Sequence, residues 1–237
     1  MHQLVGYHRP DTVADAVALL DGTRLAIGGG TTIRHDGGGP PVEVVDLQAL
    51  GLDAIDPDGD RLRFGATVSL HRLIDVPAVP GLLQRLARVE QPSTLRPLAT
   101  VGGTIGAADA ESVLLAGLLV HDAVVHLADG RAIPLQEVLA TGLGATDLVV
   151  AVDVAADGQG ALAATGRTPA DTAIVAAVAR ATSEGPVVAL TGVAPTPILV
   201  DPGRTDHLDP PGDFRGSPEY RRHLAAVLVA RAIEDLA

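Results

Sequence analysis

The segment LATVGGTIGAADAE at residues 98–111 places a glycine pair directly behind a short apolar run and a threonine directly behind the pair. The segment LAIGGGTTIR at residues 25–34 shows the same order earlier in the chain. Glycine behind a strand turns backbone N–H groups outward and lets a ligand approach closely, because no Cβ stands in the way. We therefore expect the same arrangement of strand, glycine and threonine to occur twice.

Consecutive N–H groups that point into one concavity form a site for anions. Thr31 and Thr104 would add hydroxyl donors at matching places. Two such loops facing each other could hold a pyrophosphate from opposite sides without any Lys or Arg. Neither loop carries the G-x-G-x-x-G or the Gly-Lys-Thr of the usual nucleotide motifs. The alternative interpretation is that both loops are tight turns that let strands pack.

Length and composition restrict the class of protein. The 237-residue chain is long enough for one large domain or two to three small ones, and its hydrophobic content of 47% supplies a core. It has no cysteine, which excludes disulfides, thiolate zinc sites and iron–sulfur clusters ligated by this chain. The net charge of −12 without a basic stripe argues against a nucleic-acid partner. No apolar stretch has the length of a signal peptide core or a membrane span, so we expect a cytoplasmic protein without a membrane partner.

Hydrophobic spacing and punctuation by glycine and proline predict the elements of the first fifty residues. We expect a helix at residues 11–20, a strand entering the glycines at residues 25–27, a loop at residues 35–41 and a strand at residues 42–47. These elements form a small unit of strand, helix and strand.

The rest of the chain contains further helices and strands. In the middle we expect a strand at residues 62–65, a helix capped by Ser69, a helix at residues 80–89, a buried helix after Glu111, a hairpin turning at residues 128–130 and a strand at residues 147–154. Later we expect a helix at residues 171–182, a strand from residue 187 that ends in proline-rich turns, a loop at residues 201–218 and a closing helix. We place boundaries near residues 54 and 155, which gives an α+β protein with pieces 1–54, 55–155 and 156–237.

Several pieces, in order along the chain, carry a resemblance to a known family. Residues 28–33 match its A-G-G-T-D-L loop, and residues 96–104 match its R-N-x-A-T-x-G-G-N loop. The segment YHRPDTVADAVALL looks like its Y-x-x-P-x-S-x-x-E-A-x-x-L-L, and GRTPADTAIVAAVA is similar to its R-x-x-x-D-I-A-x-V-x-V-A. The pieces TGVAPTP and GSPEYRRHLAAVLVARAI resemble its closing G-x-x-P-x-P and S-x-x-Y-R-x-x-L. The chain thus resembles, almost end to end, the FAD-binding middle subunit of molybdenum hydroxylases such as carbon monoxide dehydrogenase and xanthine dehydrogenase.

This resemblance implies a PCMH-like FAD-binding fold with a small N-terminal α/β subdomain, a larger α+β middle subdomain and a C-terminal antiparallel sheet with helices. It also implies that both glycine loops hold the FAD pyrophosphate, with the flavin between the N-terminal and middle pieces. The implied cofactor contacts are Ile27, Gly28, Gly29, Gly30, Thr31, Thr32, Thr100, Val101, Gly102, Gly103, Thr104 and Leu148. We assign no catalytic side chain and no metal ligand to this chain, since catalysis would be the cofactor's.

The resemblance further implies partner subunits: a large one with molybdopterin and a small one with two 2Fe-2S clusters. Electrons would pass from molybdenum through the clusters to FAD and then to NAD or another acceptor. The missing cysteines fit this arrangement, because the clusters would lie in another chain.

The sequence departs from the family pattern at several positions. Thr32 stands where the family has Asp, Thr104 where it has Asn, and Val113 where it has a further Asp. Asp109 and Glu111 lie close to this last position but out of register. The late strand ALAATGR offers only small residues where the family places a large or basic one near the flavin ring. Two alternatives therefore stay open: a member of the fold that has lost FAD and serves as a scaffold, and an isolated small-molecule binding protein.

Other conspicuous residues have ordinary structural interpretations. His121 and His126 are five positions apart, which does not place two metal ligands on one helix face. Tyr220 and Arg221 match the closing helix of the family and are expected to pack or to contact a partner subunit. For Asp171 we favour a helix cap over a role in a site.

Overall fold

The computed structural model describes residues 4–32, 41–166 and 171–236. The described residues form three sheets that follow one another along the chain, with helices packed on them. The predicted loop at residues 35–40, Ile33 of the glycine motif and Arg167 of the late strand lie outside the described residues. The expected α+β fold is confirmed.

The first sheet is parallel, with the strand order β1-β3-β2. Its strands are β1 (Leu4–His8), β2 (Arg24–Ile27) and β3 (Val42–Asp46). Helix α1 (Val13–Leu19) begins behind Thr12, whose hydroxyl accepts a hydrogen bond from the Asp15 amide. Its buried Ala16 packs with Val45 of the central strand. Helix α1 and strands β2 and β3 agree with the predicted unit, and β1 adds an edge strand to it.

The second sheet is antiparallel, with the strand order β4-β5-β8-β6-β7. Its strands are β4 (Ile55–Asp58), β5 (Arg61–Gly65), β6 (Val124–Leu127), β7 (Ala132–Pro134) and β8 (Val149–Ala155). The helices of this part are α2 (Leu70–Asp75), α3 (Gly81–Glu90), α4 (Val101–Ala107), α5 (Val113–Val120) and α6 (Leu135–Thr141). The Ser69 cap of α2 and the β6–β7 hairpin are as predicted. Strand β4 and helices α4 and α6 were not predicted.

The third sheet is also antiparallel, with the strand order β12-β11-β10-β9. Its strands are β9 (Gly160–Thr165), β10 (Val175–Thr182), β11 (Gly185–Thr191) and β12 (Ile198–Val200). The closing helix α7 (Pro218–Glu234) packs on one face of this sheet. Ser217 caps α7, as its hydroxyl accepts a hydrogen bond from the Tyr220 amide.

The helix predicted at residues 171–182 is wrong, because most of this segment forms the central strand β10. Val175 and Ala177 belong to the core against α7, whereas Ala176 and Val178 belong to the core around α5. A strand that is buried on both faces is apolar at every position. Such a run contains helical spacings as well as strand spacings, so periodicity alone does not distinguish the two.

Helix α5 connects the second and third parts of the molecule. All eight of its residues are buried, and it packs against α3 on one side and against β10 and β11 on the other. One apolar core therefore extends from the second sheet through α5 to a face of the third. The domain division at residues 54 and 155 stays a prediction. Within the described ranges, no helix combines the length and the apolar character needed to cross a membrane.

Candidate functional site

The first glycine segment, residues 28–30, leaves the first sheet at the end of β2. Ile27 and Asp46 form the last pair of the β2–β3 ladder, and the chain turns away behind them. Gly30 has a φ of +69°, a conformation that favours glycine. The backbone N–H groups of residues 28–32 donate no hydrogen bond to any other residue that the structure describes. Within that part of the chain, the segment offers a row of amide donors of the kind that binds anions.

The second glycine segment, residues 98–106, differs from the first, because it leads into a helix instead of following a strand. Thr100 is the N-cap of α4, and its Oγ1 accepts a hydrogen bond from the Gly103 amide at 3.1 Å. The strand predicted before Gly102 is wrong: Thr100 makes a single bridge to Ser69, and a helix begins directly behind it. Threonine is a favoured N-cap residue, and its hydroxyl competes with extended backbone structure at this position.

The amides of the second segment are already paired inside the protein. Those of Val101 and Gly102 donate to carbonyl oxygens of the connection between β5 and α2, at 3.0 and 2.8 Å. The amide and the hydroxyl of Thr104 both donate to the Thr100 carbonyl, at 2.9 and 3.0 Å. The expected second row of amide donors is therefore wrong for residues 101–104.

Helix α4 instead contributes a backbone surface without side chains. A Cβ built on Gly106 would meet no atom within 4 Å, and one on Gly103 would meet only the Thr100 hydroxyl, at 2.9 Å. Gly103 and Gly106 are three residues apart and so lie on the same face of the helix. A ligand can approach the main chain closely across this face.

The two glycine segments contact each other directly. A Cβ on Gly29 would lie 1.7 Å from the carbonyl oxygen of Leu98, and one on Gly28 would lie 2.3 Å from Oγ1 of Thr100. The backbones approach too closely for any side chain, so packing alone requires glycine at these two positions. This is what the tight-turn interpretation predicted for them. Packing does not require glycine at residue 106, where the space is open.

Both segments line one cleft with a volume of about 360 Å³. Small-molecule sites range from about 300 to 1,000 Å³. Ten of the residues predicted to contact the cofactor line this cleft: Ile27, Gly28, Gly29, Gly30, Thr31, Thr32, Thr100, Gly102, Gly103 and Leu148. The other two, Val101 and Thr104, are buried beside it in α4.

The connection between α6 and β8 forms a further wall of the cleft. Of its residues, Leu148 was predicted from the sequence as a cofactor contact and the others were not. Leu143, Gly144, Ala145 and Asp147 line this side. The segment has the composition of an ordinary loop, and no sequence motif distinguishes it. Gly106 was also missed, although its spacing from Gly103 indicates a shared face once the segment is treated as a helix.

The charges around the cleft are compensated within the protein. Arg24 and Asp147 are the charged residues among those that line it. Nε of Arg24 donates a hydrogen bond to Glu43 at 2.7 Å and its Nη1 lies 3.0 Å from Asp21, and the hydrogen bond to Glu43 raises the pKa of Arg24. Asp147 pairs with Arg131 and accepts a hydrogen bond from a backbone amide at 2.7 Å. Among the described residues, the cleft therefore offers backbone dipoles to an anion, and Arg24 is already paired with carboxylates.

The carboxylates considered as substitutes for the missing family Asp lie outside the lining of this cleft. Oδ1 of Asp109 accepts a hydrogen bond from the Glu111 amide at 3.0 Å, and the Glu111 carboxylate is paired with Arg215. Val113 is buried at the start of α5. Thr32, in contrast, lines the cleft, so a hydroxyl stands where the family carries a carboxylate.

This arrangement fits the diphosphate of a dinucleotide. Unpaired amides of residues 28–32 stand on one side of the cleft, and the side-chain-free face of α4 stands on the other. A diphosphate between them would meet hydrogen-bond donors and open space, and no unpaired carboxylate among the lining residues.

Comparison with known sequences also indicates that the chain binds a dinucleotide. The family described as "FAD binding domain in molybdopterin dehydrogenase" matches residues 3–154, which include both glycine segments and the α6–β8 wall. The chain belongs to this family. FAD is accordingly its cofactor, and the chain carries the FAD-binding domain of a family of oxidoreductases.

Similar proteins match the chain over nearly its whole length. A protein of Escherichia coli K12, named uncharacterized protein YgfM, is 28% identical over 249 positions, covering 97% of this chain and 95% of that protein. Among solved structures, quinoline 2-oxidoreductase from Pseudomonas putida 86 is 21% identical with a TM-score of 0.89. Carbon monoxide dehydrogenase from Hydrogenophaga pseudoflava is 23% identical, also with a TM-score of 0.89. Both structural matches cover 100% of this chain and 98% of the other, and they confirm the expected fold.

The two histidines singled out in the sequence have protein partners. Nε2 of His126 lies 2.7 Å from the Asp153 carboxylate, which also pairs with Arg63. His121 is fully buried, with Nδ1 2.8 Å from the Ala155 carbonyl oxygen. The described residues contain no group of three or more His, Asp or Glu side chains that could hold a metal ion.

Three residues singled out in the sequence, Asp171, Tyr220 and Arg221, lie in the third part of the molecule. Asp171 precedes strand β10, so the helix cap predicted for it is wrong. Arg221 is buried on α7, and its Nη1 donates to the carbonyls of Ile174 and Gly192 at 3.0 and 2.7 Å. Tyr220 beside it is exposed over 43% of its surface.

Proposed function

We propose that this chain is the FAD-carrying subunit of a molybdenum hydroxylase, assembled with a molybdopterin-binding large subunit and a small subunit that holds 2Fe-2S clusters. Its family and the fold that it shares with carbon monoxide dehydrogenase and quinoline 2-oxidoreductase support this assembly. Electrons reach the site from the clusters and leave to NAD or another acceptor. Residues 1–54 and 55–155 are the FAD-binding subdomains in this proposal, and residues 156–237 are the C-terminal domain.

The twelve residues predicted from the sequence then have different tasks. The amides of residues 28–32 bind the diphosphate, and Gly103 and Gly106 let it approach α4. Leu148 and the loop before it close the cleft from the β8 side. Val101 and Thr104 anchor α4 through their internal hydrogen bonds. Bound FAD supplies an acceptor for electrons from iron–sulfur clusters and a donor for the final acceptor.

One observation supports the proposal above the others: a segment that follows the first sheet and a helix of the second part converge on a cleft whose donors are backbone amides. Gly106→Leu tests it, because the new side chain extends into the cleft without displacing any protein atom near its Cβ. Gly81→Leu is the matched control, since Gly81 is also a helical glycine with open space at its Cβ but lies away from the cleft. FAD affinity is measured by the quenching of flavin fluorescence on titration.

We expect Gly106→Leu to bind FAD about tenfold more weakly or worse, a loss of about 1.4 kcal/mol, and Gly81→Leu to bind as the wild type does. An unchanged affinity in Gly106→Leu would place the cofactor elsewhere. A wild-type protein that is colourless and leaves added FAD fluorescent would favour the scaffold alternative.

The partner subunits require a separate test. The chain is co-expressed with the candidate molybdopterin and 2Fe-2S subunits, and the complex is isolated through a tag on this chain. We expect both subunits to co-purify, and the substrate of the complex to bleach the flavin absorption. A chain that binds FAD but elutes alone would contradict the assembly.

A further inference from the structure

One side chain outside the cleft holds the first glycine segment. Nε2 of Gln48 donates a hydrogen bond to the carbonyl oxygen of Gly28 at 2.9 Å. Gln48 lies just behind β3 and is not among the residues that line the cleft, whereas Gly28 and Gly29 are. The hydrogen bond therefore ties the glycine segment to a residue outside the lining of the cleft.

This hydrogen bond determines the direction of an amide donor. The Gly28 carbonyl and the Gly29 N–H belong to one peptide group, which is planar and trans, so the two bonds point in opposite directions. With the carbonyl directed towards Gln48, the Gly29 N–H points the opposite way, and Gly29 itself lines the cleft. That N–H has no acceptor among the residues that the structure describes.

The peptide between the two glycines needs such a partner. Glycine has access to both halves of the φ,ψ map, so a Gly-Gly peptide can reverse its direction at lower cost than other peptides. Gln48 is itself positioned, because its backbone N–H donates a hydrogen bond to Oδ1 of Asp46 at 2.9 Å. The carboxylate of Asp46 is buried and also accepts a hydrogen bond from the hydroxyl of Tyr7.

We propose that Gln48 is a positioning residue for the diphosphate: it fixes the Gly28–Gly29 peptide so that an N–H, and not a carbonyl oxygen, faces the phosphate oxygens. Without this hydrogen bond the peptide samples both directions, and the reversed one repels an anion. The inference rests on the proposed FAD site and adds Gln48, which is not among the residues that line the cleft.

Two substitutions and a matched control test this role. Gln48→Met keeps the length of the side chain and removes the donor, and Gln48→Glu replaces the donor with an acceptor opposite the Gly28 carbonyl. Gln84→Met is the control, because Nε2 of Gln84 also donates to a backbone carbonyl, that of Val76 at 3.0 Å, on a helix away from the cleft. The affinities for FAD and for ADP are measured together with the thermal unfolding of each variant.

We expect Gln48→Met to bind both FAD and ADP about fivefold more weakly, the value of one hydrogen bond, and Gln48→Glu to bind them more weakly still. ADP shares its adenosine and its diphosphate with FAD and lacks the riboflavin part, so a loss for both ligands assigns the effect to the shared part and not to the flavin. Gln84→Met should unfold at a slightly lower temperature, as Gln48→Met does, but bind like the wild type.

The possible failures are distinct. Wild-type affinity in Gln48→Met, or an equal loss in Gln84→Met, would overturn the positioning role while leaving the FAD site in place. A wild-type protein that binds neither FAD nor ADP would overturn the proposed function and this inference with it.

Discussion

The buried side chain of His121 should make the stability of this protein depend on pH. The pKa of His121 is lowered to about 4, chiefly by burial and also by the positive charge of Arg180, against the opposing effects of the Ala155 carbonyl and Asp157. Its Nε2 has no hydrogen-bond partner among the described residues, so a proton bound there would be unsolvated. The folded protein therefore holds this imidazole neutral, whereas the unfolded chain protonates it with a pKa near 6.5.

The magnitude follows from the two pKa values. Above about pH 6.5 the imidazole is neutral in both states, and the full stability is present. As the pH falls from about 6.5 towards 4, His121 binds a proton in the unfolded chain but not in the folded protein. The free energy of unfolding therefore decreases. With pKa values of 6.5 and about 4, the loss at pH 5.5 is about 1.4 kcal/mol, and it approaches about 3 kcal/mol below pH 4.

Urea denaturation at pH 7.5 and pH 5.5 measures this loss in the wild type and in His121→Asn. Asparagine can donate to the Ala155 carbonyl as Nδ1 of the histidine does, but it does not titrate. Other histidines and the carboxylates contribute equally to both proteins, so the difference between the two pH dependences isolates His121. We expect the wild type to lose about 1.4 kcal/mol more than the variant between these pH values. Equal losses would refute the reasoning, since they would mean that the imidazole is hydrated or paired when folded.

Two further substitutions test the packing, one beside the cleft and one in the third part of the molecule. Gly29→Ala places a Cβ against the Leu98 carbonyl and should lower the free energy of unfolding by about 1–3 kcal/mol together with FAD affinity, as measured by urea denaturation and titration; full stability would mean that the two loops are not in contact. Arg221→Met removes the donors to two backbone carbonyls and the ion pair to Asp213, and should cost about 3 kcal/mol in the same assay. Asp213→Asn retains those donors and should cost clearly less, so equal losses would contradict the role of the carbonyl contacts.

Several of the elements that were predicted from the sequence have their apolar residues on a single face. Helix α3 buries Leu82, Leu83 and Leu86 on one side, which produces the helical spacing, and Ser69 marks the start of α2 by its capping hydroxyl. Strand β10 was mistaken for a helix because both of its faces are buried. Strand β4 was missed because it is short, largely exposed and contains a proline, so it lacks the apolar alternation that identifies a strand.

The convergence of the two glycine segments was predicted correctly, but the hydrogen bonding of the second segment was not. Which amides remain free depends on contacts between distant segments: the Gly102 amide is paired with the Ala66 carbonyl, which lies in another connection of the fold. The α6–β8 wall has the same origin, since its residues reach the cleft only through the position of β8 in the second sheet. Local sequence patterns contain no information about such pairings.

The similarity of the two glycine segments therefore has a physical cause other than a shared local structure. Gly29 must be glycine because the Leu98 carbonyl lies in the space of its Cβ, whereas Gly106 faces open space and is left bare for a ligand. One segment ends a strand and supplies donors, and the other begins a helix and supplies surface. What the segments have in common is the absence of side chains at the place where two backbones and a diphosphate would have to come together. A chain of net charge −12 can bind such an anion on these terms, because peptide dipoles fixed by neighbours such as Gln48 attract it where Arg24, the cation among the described lining residues, is paired with carboxylates.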